Sequence, residues 1–141
     1  MLRQDASSQA LGITIEIAAA GSAIAAMTVR DDMVNGFDVC HGGLVFALAD
    51  TAFAFACNAY NDETLSIEAS INWRKTAHRG DQLCAVARED RREGRHGFYS
   101  VIVTNQDDAL VAEFHGHSIS RGRPLFDTET DTDFLENRKK P

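Results

Sequence analysis

Asn35 to Tyr60 reads NGFDVCHGGLVFALADTAFAFACNAY. The first third is polar and glycine-rich, and the remainder is Ala, Leu, Phe and Val on nearly every helical face. The composition and length predict one helix over 43–60. A helix apolar all round belongs at the centre of a fold rather than on its surface. Asp50 and Thr51 interrupt it. An ionised carboxylate costs several kcal/mol, roughly, to bury without a partner or water. Asp50 therefore faces solvent at a break in the helix, or bonds a nearby hydroxyl, or faces a cleft as a base or nucleophile.

The sequence on either side supplies strands. ITIEIAA alternates Ile13, Ile15 and Ile17, AGS reads as a turn, and AIAAMTV as a returning strand. DDMVNGFDVCHGG is a long loop into the helix, of the kind that often carries function. After the helix, LSIEASINW places Leu65, Ile67, Ala69, Ile71 and Trp73 on one side by period two. QLCAVARED, FYSVIVTN and ALVAEFHGHSIS follow at hairpin spacing. DASSQALG before the first strand suits a short helix ending at Gly12. The order is strand, strand, helix, four strands. An antiparallel sheet wrapped around one long central helix satisfies it, an α+β architecture.

The 141 residues, 44% hydrophobic, suffice for one domain over 1–121. Residues 122–141 hold both prolines and many acids and read as a loosely ordered acidic tail. A net charge of -7 disfavours nucleic acid and anionic membrane as partners. No apolar run is long enough to span a bilayer, and MLRQDASSQA lacks the apolar core of a signal peptide. Cys40, Cys57 and Cys84 are scattered, as reduced thiols in a cytoplasmic protein would be. No metal-ligand spacing stands out; His115 and His117 alternate on a strand without a third ligand.

The helix start is a chemical device in its own right. Its first amides lack partners within the helix and carry the positive end of its dipole. His41-Gly42-Gly43 either permits a sharp turn or exposes Gly42 and Gly43 amides to a carbonyl oxygen, as in an oxyanion hole. Gly42 and Asp50 lie eight residues apart, about 12 Å along one helix axis. One reacting carbonyl cannot touch both in one chain. A site using both takes the glycine from one chain and the aspartate from another.

These residues closely resemble the signature of the phenylacetate-degradation thioesterases, the PaaI group of hotdog-fold acyl-CoA thioesterases. The likeness rests on Asn35, Cys40-His41-Gly42-Gly43, Leu48 to Ala54, Ala56-Cys57-Asn58, Gly80-Asp81, Gly97, Tyr99 and AEFHGHS. It covers residues 10 to 120. It implies a hotdog fold and hydrolysis of aryl- or phenylacetyl-coenzyme A, including hydroxylated phenylacetyl forms. It also implies no cofactor beyond the coenzyme A of the substrate, and dimers paired into tetramers with shared sites. By the same resemblance Asp50 attacks or activates water, Gly42 polarises the carbonyl, Asn35 helps place the nucleophile, and His41 shapes the loop. The chain departs from the pattern at Lys75-Thr76-Ala77 and His117.

Residues 74–95 hold seven basic side chains against four acids, a local +3, so the remainder carries -10. Such a segment suits coenzyme A phosphates or forms solvated turns. The resemblance, in which Lys75 matches a basic position, makes Lys75 and then Arg74 the leading contacts. Thr51 and Phe53 are candidate substrate contacts on the helix, while Trp73 and the helix phenylalanines read mainly as core. A cysteine nucleophile at Cys40 is disfavoured, because neighbours in an extended loop point apart. Two further readings are a hotdog hydratase or dehydratase using His41 with Asp50, and a non-catalytic acyl-CoA-binding module.

Overall fold

A computed structural model describes residues 5–124, apart from the side chain of Ile17. The elements are α1 (Ala6–Ala10), β1 (Thr14–Ala19), β2 (Ser22–Thr28), α2 (Gly42–Asn58), β3 (Asp62–Trp73), β4 (Gln82–Glu93), β5 (His96–Thr104) and β6 (Leu110–Pro124). A short 3-10 turn, Asp31–Met33, precedes α2. The strands form one antiparallel sheet in the order β1-β2-β4-β5-β6-β3, and α2 packs across it, touching every strand. This is the helix-in-sheet object expected from the sequence. The tail after Pro124 lies outside the described residues.

The helix begins at Gly42 and ends at Asn58 rather than spanning 43–60. Asn58 closes it with its own side chain. Its Nδ2 donates to Ala54 O (2.9 Å), and its Oδ1 accepts Thr64 N–H (3.1 Å), tying the helix end to β3. Val45, Leu48, Ala49, Ala52, Phe53, Ala56 and Cys57 are buried. That spacing of three and four residues is a single stripe, turned to the sheet. The opposite side, with Asp50, Thr51, Ala54 and Phe55, is only half-buried. Within one chain the helix is therefore not enclosed all round, and Asp50 lies on its less covered side.

The core under the helix is aromatic. Phe53 meets Tyr99 edge-on (centroids 5.3 Å) and Phe114 at 5.8 Å, and Phe46 meets Phe114 at 5.3 Å. Gly116 of β6 lies directly beneath Phe53, where a Cβ would stand 2.8 Å from two ring atoms. Phe53 is pinned on its other sides and cannot move freely. Gly116→Ala should cost about 1–3 kcal/mol of stability by overpacking. A thermal melt checks this, and an unchanged Tm would mean the ring has room to yield.

The side chains predicted to share one face of β3 do not all share it. The β3–β6 register slips between Ser66 and Glu68. Leu65 pairs with Ile119, whereas Ala69, Ile71 and Trp73 pair with the buried Gly116, Phe114 and Ala112. One extra residue in a strand exchanges its faces, so Leu65 turns to the outer side and the last three turn to the helix side. β3 is also an edge. Its twelve residues pair with β6 alone, and Leu65 (47%) and Ile67 (52%) stay exposed. Long apolar edges of this kind invite pairing with another chain. Among the described residues, no helix is long and apolar enough to cross a membrane.

Candidate active site

The loop into α2 is fixed from both sides. Cys40 N–H donates to Ala77 O (2.7 Å), and His41 N–H donates to Met33 O (2.8 Å). His41 is the N-cap in extended conformation (φ -58°, ψ 128°), without a side-chain cap. Its carbonyl accepts the amides of Leu44 (2.9 Å) and Val45 (3.4 Å). The preceding two amides, of Gly42 and Gly43, have no hydrogen-bond partner among the described residues. Free donors at the positive end of a seventeen-residue helix are suited to a carbonyl oxygen acquiring negative charge.

A groove of about 300 Å³ opens beside this turn. Asn35, Gly42, Trp73, Arg74 and Lys75 line it. Asn35 uses its Oδ1 to accept Phe37 N–H (2.9 Å) and Val39 N–H (3.4 Å), which holds the loop, so its amide N–H groups remain to donate. Lys75 makes no ion pair among the described residues and lines the groove together with Gly42. Arg74 is committed elsewhere, with Nη2 2.8 Å and Nε 3.2 Å from Glu113 Oε2. The wider basic segment does not form one free patch. Arg79 bonds Asp38 and lies 3.7 Å from Asp31, Arg91 pairs with Glu93, and Arg92 with Asp62 and Glu89. Glu93 and Glu89 pair within the segment, and Glu113, Asp31, Asp38 and Asp62 from outside it offset the excess of charge in residues 74–95. These pairs are exposed, contribute about 0–1 kcal/mol each, and could exchange an acid for a phosphate.

Asp50 does not line this groove. Its half-buried carboxylate makes no hydrogen bond or ion pair among the described residues. Burial holds its pKa above the ordinary carboxylate range. It also helps burial push the Cys57 thiol, two turns further on, up to about 12. An unpaired, partly desolvated carboxylate is a stronger base than one in a salt bridge. The helix separation of about 12 Å stands: one chain presents the free amides and the free carboxylate, but not to the same point.

The remaining candidates are placed differently. His41 is exposed and, with Gly43, lines a second groove beside Asp32 and Leu44. Thr51 donates to Ala47 O (2.8 Å) and meets Ser8 Oγ (3.2 Å), so its hydroxyl ties α1 to α2. Phe53 is 0% exposed, and its role within the chain is packing. Burial, and then the charge of Asp81, raise the Cys40 thiol pKa, which disfavours a thiolate nucleophile. His117 bonds His96 (2.8 Å) and stacks on Phe98, while His115 faces Ser100. Trp73, expected in the core, is instead 54% exposed at the groove. It ends an edge strand, where the sheet no longer covers the helix-facing side.

A helix lying in an antiparallel sheet, with bare glycine amides at its start and a lone carboxylate midway, defines a hotdog-fold thioesterase. Residues 37–112 match the thioesterase superfamily, and the chain belongs to it. It is 39% identical to the acyl-coenzyme A thioesterase PaaI of Escherichia coli K12 over 84% of each chain. The structure of the E. coli PaaI protein from the phenylacetic acid degradation operon superposes with a TM-score of 0.86 at 38% identity, covering 88% of this chain and 90% of that one. A variant of the phenylacetic acid degradation protein PaaI from Thermus thermophilus gives 0.78 at 31% identity, over 81% and 97%.

Proposed function

We propose that the chain hydrolyses acyl-coenzyme A thioesters of aryl or phenylacetyl type, hydroxylated phenylacetyl-CoA among them, at sites shared between two subunits. The observation that carries this reading is the pairing of two unsatisfied groups on one helix: free Gly42 and Gly43 amides, and an unpaired Asp50. The likeness to E. coli PaaI supports the substrate class. The thioester oxygen accepts the Gly42 N–H, with the Gly43 N–H beside it as a second donor, which disperses charge as the carbonyl carbon becomes tetrahedral. Asp50 of the partner subunit acts on that carbon in one of two ways. As a nucleophile it forms an acyl–carboxylate anhydride and expels coenzyme A thiolate, and water then cleaves the anhydride. As a general base it takes a proton from water, whose oxygen adds to the carbon before the thiolate leaves. The Asn35 amide group orients the attacking species, and Lys75 meets coenzyme A phosphate. Assembly into dimers, and of dimers into tetramers, covers the β3 edge and the half-buried side of α2.

The test is thiol release, followed with a thiol reagent, over a panel of saturated aliphatic, benzoyl and phenylacetyl thioesters of coenzyme A. Release that is fastest for the aromatic members is expected. A hydratase would add water to an enoyl-CoA and leave saturated thioesters intact. A binding module would gain thermal stability from the ligands and release nothing.

A further inference from the structure

We propose that Trp73 is the positioning residue of the oxyanion-binding turn and that its exposed indole face forms a wall of the thioester groove. This rests on the thioesterase reading above. Three observations converge on it. The indole Nε1–H donates to the Gly42 carbonyl oxygen at 3.2 Å. That oxygen belongs to the peptide whose N–H is Gly43's, so the bond fixes the plane of this peptide. It also polarises its N–H, since donors on a carbonyl strengthen the amide at the other end. Second, the ring rests on the Gly42 backbone. A Cβ on Gly42 would stand 3.2 Å from both Cε2 and Nε1 of Trp73. The missing side chain at Gly42 is therefore what lets the ring seat against the first turn. Third, about half of the side chain remains open to the groove that Asn35 and Lys75 also line.

The support behind Trp73 is rigid. It closes β3 opposite the buried Ala112, and Arg74 N–H donates to Val111 O at 2.8 Å directly after it. The Arg74–Glu113 ion pair holds the same strand end from the outer side. A ring mounted on paired strands positions a helix terminus better than a loop side chain could. In a core role the indole would be enclosed. As a solvated surface residue it would have no reason to commit its only donor to a helix-terminal carbonyl.

Trp73→Phe keeps a ring and removes the donor. Loss of one neutral hydrogen bond predicts a fall in kcat of about 3- to 10-fold. KM should change less than about twofold, because the ring wall persists and the amide acts on the developing charge. Trp73→Ala should raise KM as well. A merely structural residue would lower Tm without this split, and a wild-type kcat in Trp73→Phe overturns the positioning role.

A second readout does not depend on turnover. Trp73 is the single tryptophan of the chain, so indole emission reports on it alone. Titrating coenzyme A and phenylacetyl-CoA into Asp50→Asn protein should shift or quench that emission with saturation. Emission that stays flat in a protein that hydrolyses thioesters removes Trp73 from the groove and leaves the thioesterase reading standing. Emission that responds in a wild-type protein releasing no thiol does the reverse. Silence in both overturns both.

Discussion

Asp50→Asn should remove nearly all thiol release while the protein folds and gains stability. The loss is expected at about 10²–10⁴-fold in kcat, because amide is neither base nor nucleophile at the carbonyl. The gain has a separate origin. Burial lifts the Asp50 pKa, so the folded state binds the proton more tightly than the unfolded chain does. Its ionised form therefore weighs against folding at neutral pH. The stabilising contribution of the protonated form is fully present below the unfolded pKa and is lost as pH rises through the higher folded one. The asparagine side chain has no such titration. The Tm of Asp50→Asn should thus exceed that of wild type near pH 7, and the two should converge as pH falls through the carboxylate range. Activity and stability moving in opposite directions is the signature of a group held for chemistry. Turnover at the wild-type rate would remove Asp50 from the reaction. A wild-type Tm advantage at neutral pH would mean the carboxylate has a partner that stabilises it.

The architecture was legible because composition and periodicity pointed to one answer. A long Ala/Leu/Phe run gave the helix, and alternating stretches at hairpin spacing gave the sheet. The helix ends were less so, since Ala59 and Tyr60 could continue a helix, and it is the turn at Asn61 (φ 59°) and the bond from Thr64 back to Asn58 that show they do not. The slip at Ile67 left no trace, because Leu65, Ile67 and Ala69 alternate whether or not a bulge intervenes. The helix start was readable from Gly42-Gly43 and the carboxylate from its improbability in an apolar run. The neighbours of these groups were not. Arg74 is claimed by Glu113 and Arg79 by Asp38, partners about forty positions distant in the chain. Phe53 looked like its neighbours on the helix, and only the fold shows it closed in by Tyr99, Phe114 and Gly116. Trp73 is the converse: it shares the alternation of core residues and sits where the cover ends.

Two inactive variants should restore each other's activity when assembled together. The first is Asp50→Asn. The second is Gly42→Pro, which removes the first of the two N–H donors, of Gly42 and Gly43, assigned to the oxyanion. Gly42 is the first residue of the helix, where proline is well tolerated, and His41 before it already has the extended ψ that a following proline requires. The cost falls on Trp73, whose ring must yield by a few tenths of an ångström. Loss of one such donor lowers kcat by about 10²–10³-fold. The two chains are joined in tandem by a flexible linker long enough for them to form one mixed dimer, so that every dimer holds one copy of each variant. In a mixed dimer one site receives both substitutions, G42P from one chain and D50N from the other, and is inert. The other site receives the intact Asp50 of one chain and the intact Gly42 of its partner. Such dimers should recover about half of wild-type turnover, one competent site in two. Recovery of this size cannot come from sites built within single chains, because every chain then carries its own lesion. Tandem dimers as inert as their parents, with circular dichroism showing both variants folded, would place carboxylate and amide in separate sites.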